Sequence, residues 1–164
     1  MKKHWKGKSS FYPLLFALVI VIGVLSGCSG KDVKIPAQLS AIEIGKSIEQ
    51  GVSLKEMKKG DLNKLQKMYK MDAVDVDDFI LYTSASNVKA DELAVIKLKD
   101  ESQAESVKEN IEQRIEAQKM KFKDYRPDEY FLVENHVLKT KGPFVFFAVS
   151  KEADSMERAF DGAF

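Results

Sequence analysis

The stretch "FVFFAVS", residues 144–150, restricts the fold more than any other part of the chain. Side chains alternate between the two faces of a strand, so Phe144 and Phe146 point one way and Val145, Phe147 and Val149 the other. A strand that is apolar on both sides belongs in a sheet covered on both faces, or else it leaves an apolar face bare. Residues 79–84 repeat the pattern, with Phe79 and Leu81 opposite Ile80 and Tyr82. The expectation is that two N-terminal helices cover the second face; the alternative is that this face is a docking surface.

The neighbouring segments supply the rest of a sheet. "FILYTSA" and "ELAVIKLK", joined by residues 86–91, read as one hairpin, and "HVLKT", "KGP" and "FVFFAVS" as another. Between them, Ala104, Val107, Ile111, Ile115, Gln118, Phe122 and Tyr125 recur at spacings of three and four, the core face of a helix over residues 101–125. Ser102 and Glu105 stand at capping-box spacing, and Pro127 lies just past the end. At 1.5 Å per residue that helix runs about 37 Å, enough to cross a small sheet.

"PDEYFLVEN" reads as a short helical turn, and residues 152–160 as a last helix. Upstream, Leu39, Ile42, Ile48 and Val52, with Ile44 off the stripe, indicate a helix over residues 37–50 stopped by Gly51. "GDLNKLQKMYKMD" indicates a second helix capped by Asp61. The expected fold is α+β: a four-stranded antiparallel sheet built from two β-hairpins in the order ββαββα, in two layers, with one long helix on a face and N-terminal helices ahead of it.

The first residues serve a different purpose. Lys2, Lys3, Lys6 and Lys8 precede an apolar run over residues 11–24, the charged and hydrophobic regions of a secretory signal. Leu25, Ser26, Gly27 and Cys28 then match the bacterial lipobox. A thiol forms a stable thioether to diacylglycerol, and small Ser26 and Gly27 leave the preceding bond open to a signal peptidase. Two acyl chains anchor stably where one holds only weakly. Residues 1–27 are therefore expected to be a lipoprotein signal peptide, residues 28–36 the lipidated cysteine and a short tether, and residues 37–164 a single domain. The partner expected first is the membrane, through diacylglyceryl Cys28, with the domain on the outer leaflet of a bacterial cell membrane.

Cleavage there changes the charge balance. The whole chain carries 26 basic and 25 acidic residues; removal of four lysines leaves 22 against 25, a net charge of −3. Mild acidity without a basic stripe argues against nucleic acid as a partner. The single cysteine, Cys28, leaves no disulfide to form, so stability must come from packing.

The stretches "YTSASNVKADELAVIKLKD", "RIEAQKMKFKDYRPDEY" and "KGPFVFFAVSKEAD" resemble a family of short lipoproteins from Gram-positive bacteria, the domain of unknown function 4358 family. The similarity runs over residues 42–160. It implies a single ββαββα domain behind a lipobox, and it brings no activity and no catalytic residues. The resemblance also implies occurrence beside cell-envelope O-acylation machinery, which the residues here neither support nor oppose.

Chemistry-bearing motifs are sparse. Asp72, Asp75, Asp77 and Asp78 are hard oxygen ligands, but the spacing lacks the glycine and the distal glutamate of an EF-hand, and solvated turn acids explain them better. His136 is a lone imidazole with Glu134 two residues before it, which supplies neither a metal set nor a triad. Ser84, Ser86 and Ser102 sit in no nucleophile elbow, and the glycines form no phosphate loop. No metal, cofactor or catalytic set is expected.

The candidate interaction surface comprises Phe144 and Phe146 on the sheet and Lys119, Lys123 and Arg126 at the end of the long helix. Macrodipole pairing accounts for such cations, and contact with anionic headgroups or envelope polymers is their functional alternative. The leading expectation is a non-catalytic binding module with an envelope protein or polymer as partner. The runner-up is a small envelope enzyme, or an accessory of envelope polysaccharide modification, using Asp128, Glu129 and His136.

Intact-mass measurement of protein extracted from membranes tests the anchor. The expected mass lacks residues 1–27 and carries a diacylglyceryl adduct on Cys28. Retention of residues 1–27 without a lipid adduct refutes it.

Overall fold

The computed structural model describes residues 38–164, which group as one unit. The signal peptide, the lipobox with Cys28 and the tether expected from the sequence lie outside the described residues. None of the described helices is long and apolar enough to cross a membrane.

The elements are α1 (Ala41–Gly51), β1 (Met57–Lys59), α2 (Leu62–Tyr69), β2 (Val76–Ser84), β3 (Glu92–Leu98), α3 (Ala104–Phe122), α4 (Pro127–Glu134), β4 (Val137–Lys141), β5 (Phe144–Val149) and α5 (Ala153–Asp161). The fold is α+β, and every strand pairs antiparallel in the order β1-β2-β3-β5-β4. The sheet thus has five strands rather than the expected four. The extra strand, β1, is only "MKK" and has no β-rich composition; it forms because Met57, Lys58 and Lys59 pair with Ser84, Thr83 and Tyr82 on the free edge of β2.

Both faces of the sheet are buried, which replaces the expected two layers with three. On one face Leu81, Ala94, Ile96, Val145, Phe147 and Val149 pack under α2, α3 and α4, with Leu65, Ile111, Ile115 and Leu132 reaching down to them. On the other, Ile80, Leu93, Val95, Phe144 and Phe146 pack under α1 and α5, with Ile44, Ile48, Met156 and Phe160. The second cover is therefore one N-terminal helix and the last helix, not two N-terminal helices, and α2 joins α3 on the opposite side. Phe144 and Phe146 are fully buried, which removes them from the candidate interaction surface. Phe160 stacks on Phe146 with ring centroids 4.8 Å apart, and Phe164 meets Phe144 edge-on at 5.4 Å.

Local sequence explains the helix ends. Ser40 caps α1 and exchanges bonds with Glu43 in a capping box, so the helix starts at Ala41 and not at residue 37. Ile48 and Val52 face inward as the spacing predicts, but Ile44 is buried with them and Ile42 is left half exposed, the reverse of the expectation for those two. Gly45 permits a close approach to β2: a Cβ there would stand 2.8 Å from Ile80 Cδ1.

Asp61 caps α2, its carboxylate accepting from the Lys64 backbone N–H at 2.8 Å. Ahead of α3 comes a 3₁₀ turn, Glu101–Gln103, in which Asp100 accepts from the Ser102 N–H at 2.9 Å; the Ser102 and Glu105 capping box does not form. α3 ends at Phe122, and Tyr125, expected on the core face, is 86% exposed beyond it. "PDEYFLVE" is a full two-turn helix with Pro127 in its first turn. Gly142, at φ 56°, makes the two-residue turn between β4 and β5.

Candidate functional site

Among the described residues, the carboxylates of Glu92 and Glu129 and the hydroxyl side chains of Thr83 and Tyr69 are withdrawn from water. Glu92 begins β3 on the same face as Ala94, Ile96 and Leu98, so the pleat points its carboxylate at α2 and α3. Arg114, between Ile111 and Ile115 on α3, meets it with Nε donating to Oε1 at 2.8 Å and Nη2 donating to Oε2 at 2.5 Å. The Tyr69 hydroxyl, from the end of α2, donates to Oε1 at 2.6 Å. Burial first, then the adjacent Glu92 carboxylate, pushes the Tyr69 phenol well above its ordinary range, so it stays a donor. Burial alone would lower the Arg114 guanidinium, but its hydrogen bonds to Glu92 and the charge of that carboxylate together raise it above its ordinary value.

The second carboxylate closes the far end of the sheet. Glu129 points inward from α4 and accepts from Lys89 Nζ at 2.7 Å and from the Ala90 backbone N–H at 2.8 Å, which pins the β2–β3 loop under α4. Burial, then the Glu129 charge, raises the half-buried Asp91 carboxyl above its ordinary value. Nearby, Lys64 Nζ donates to Thr83 Oγ1 at 2.6 Å. Each buried carboxylate thus has both oxygens engaged by donors of its own chain, the arrangement that makes a buried charge tolerable.

Two surface grooves flank this interior. One, of about 660 Å³, opens between α4 and the turn leading into α5, lined by Asp128, Phe131, Leu132, Asn135, Ser150, Lys151, Ala153 and Asp154. Phe131 is 63% exposed at its edge. The other, of about 590 Å³, lies between α3 and the start of β4, lined by Glu109, Glu112, Gln113, Ile115, Glu116, Lys119 and His136.

A family model matches residues 50–150, a span that holds all five strands, Glu92, Arg114 and Glu129. The chain belongs to the family described as domain of unknown function DUF4358. No curated protein and no solved structure matches the chain.

In this DUF4358 domain the residues singled out from the sequence are dispersed. Asp128 lines the first groove, His136 the second, and Glu129 is buried with its carboxylate turned to exposed Lys89, so no cleft among the described residues collects two of the three. His136 Nδ1 lies 2.8 Å from the Val133 carbonyl, which only accepts, so Nδ1 carries the proton. Lys119 pairs with Glu116 at 2.8 Å, and that bond raises its ammonium above the ordinary value. Lys123 and Arg126 are exposed, in no ion pair among the described residues.

The acidic run is used locally. Asp78 accepts from the Ala41 N–H, Asp77 pairs with Lys97 at 2.9 Å, and Asp75 accepts from Gln103 Nε2 at 3.1 Å. Among the described residues, no three His, Cys, Asp or Glu side chains stand together as a metal set.

Sequence reasoning missed the Tyr69–Glu92–Arg114 cluster and the groove at Phe131. Alternation in "ELAVIKLK" carried a usable signal for the first, because it sets Glu92 in register with three apolar core positions. The second had none, since the exposed side of a two-turn helix depends on which side its neighbours cover.

Removing one partner of the buried pair leaves an uncompensated charge. Arg114→Ala is expected to lower unfolding stability by about 3–5 kcal/mol, and Arg114→Met combined with Glu92→Leu to restore most of it. Urea denaturation of the unaltered chain, Arg114→Ala and the double variant measures this. A loss in Arg114→Ala no larger than that of a surface substitution contradicts the assignment.

Proposed function

We propose that this chain is a lipid-anchored extracytoplasmic lipoprotein, held at the outer face of a cell membrane through Cys28, whose DUF4358 domain binds a partner at the cell envelope without catalysing a reaction. The observation that carries this reading is the division of polar chemistry. The carboxylates buried in the fold are saturated by Arg114, Tyr69, Lys89 and the Ala90 N–H, while the groove beside exposed Phe131 is open. A half-apolar concavity with a few polar side chains suits binding and needs no reactive group. Pairing the buried charges stabilises a rigid base for that groove.

A second reading, a small envelope enzyme or an accessory of envelope polysaccharide modification, draws on Asp128 and Asp154 lining the same groove. Two carboxylates facing one concavity are the raw material of general acid–base chemistry. The two readings differ in what their loss removes.

A photo-crosslinking side chain placed at position 131 of the full chain in native membranes is expected to give one discrete adduct, and the same group at Val74, beside the start of β2, none. Asp128→Asn with Asp154→Asn should leave the adduct unchanged. Equal labelling from both positions, or no adduct from 131, contradicts binding at this groove.

A further inference from the structure

The loop between β2 and β3, residues 85–91, is fastened at two places. At its base the Ser84 N–H donates to the Asp91 carbonyl at 2.7 Å, which closes the hairpin where β3 begins. Above the base it is held from outside the sheet. Glu129, 4% exposed on α4, accepts from Lys89 Nζ at 2.7 Å and from the Ala90 N–H at 2.8 Å. Among the described residues, both hydrogen bonds that cross from the loop to α4 end on that one carboxylate. The tip bonds to itself, the Val88 N–H to Ser86 Oγ at 3.4 Å and the Lys89 N–H to the Ser86 carbonyl at 3.3 Å. A loop held this way opens locally by giving up a single acceptor, with the sheet intact.

That acceptor has a neighbour of its own sign. Asp91 follows Ala90 directly, so its half-buried carboxyl is carried one residue from the N–H that Glu129 holds. Lys89 Nζ is bonded to Glu129, whereas no side-chain donor among the described residues is bonded to the Asp91 carboxyl, which is left with its own backbone N–H. The charged groups facing it are Glu129 from α4, Lys89 from its own loop and Glu56 from the segment before β1. Arg126, at the start of α4, faces Lys89 and opposes its charge. Two of the three groups facing Asp91 are acidic. Closing the loop therefore brings Asp91 into a place that disfavours its ionised form, through burial first and the Glu129 charge second. Opening returns it to water and to the ordinary aspartate value of about 3.9.

We infer that the β2–β3 loop is an acid-tightened latch: as its surroundings turn acidic, Asp91 takes up a proton from water, its repulsion of Glu129 is lost, and Glu129 clamps the loop onto α4 more firmly. The closed loop holds the Asp91 proton at a higher pH than the open loop does. Closing thus takes up a proton and is favoured as the pH falls. Above the raised value both forms are ionised and the grip is weakest; once the pH has fallen to the ordinary aspartate range, about 4, the gain is complete. The latch stands apart from the binding reading above, although the helix that it clamps is the one carrying Phe131.

The test is amide hydrogen exchange of the full chain in neutral detergent micelles, followed from about pH 7.5 down to about pH 4.5 with intrinsic exchange rates removed. The Ala90 amide should exchange faster than that of Ile96 in mid-β3, through the local opening, and its protection should rise about twofold or more on acidification. Asp91→Asn should keep Ala90 protection high and level across the range. Glu129→Gln should lower it throughout and flatten the acid rise. In the unaltered chain the Asp91 carboxyl carbon, followed by NMR, should titrate above about 3.9, and the Ala90 amide shift should move with the same midpoint.

Ala90 protection that stays level or falls on acidification, or that equals Ile96 protection at every pH, would overturn the inference. So would an Asp91 midpoint at or below about 3.9, or an acid rise that survives in Asp91→Asn. The NMR titration needs no substitution, so it decides the matter even where a variant does not fold.

Discussion

The constraint on which the rest of this structure depends is that β5 is apolar on both faces. Phe144 and Phe146 demand one cover, and Val145, Phe147 and Val149 demand another. β3, hydrogen-bonded along its length to β5, carries the same demand through Leu93 and Val95 on one side and Ala94 and Ile96 on the other. Burying large apolar side chains is worth about 1.5–3 kcal/mol each, so a layer lost from either face would remove several such contributions at once. Three layers follow, with each helix placed by which face it covers.

Much of that was legible in the sequence, because it was local. The two hairpins, the apolar stripe of α3 and the Asp61 cap depend on alternation, periodicity and a single hydrogen bond. Layer assignment was not legible: periodicity says that Leu65 and Tyr69 are buried on α2, but not that they lie beside Arg114 and Phe147 and not beside Phe146. β1 escaped for a related reason, since its strand character comes from the edge of β2 and not from Met57, Lys58 and Lys59 themselves. Of the site, Glu92 could have been found from its register, whereas the exposure of Phe131 emerges only once α4 has been turned inward by Glu129.

The same double cover decides where recognition can occur. With both sheet faces closed, no sheet side chain of the apolar core is left to meet a partner, and the open features lie where helices end and loops turn. The buried carboxylates are consistent with this division. Glu92 links α2, α3 and β3, and Glu129 links α4 to the β2–β3 loop, so each fixes the spacing of elements that frame the far end. Such links contribute geometric definition more surely than net stability.

Native-state hydrogen exchange of the full chain tests the double cover most directly. If both layers belong to one cooperative unit, the backbone amides of β3 and β5 exchange only through global unfolding, and those of the α1 and α5 interiors share that free energy within about 1 kcal/mol. Exchange of the β5 amides through a lower-energy opening in which α1 and α5 detach while α3 stays protected would contradict the account.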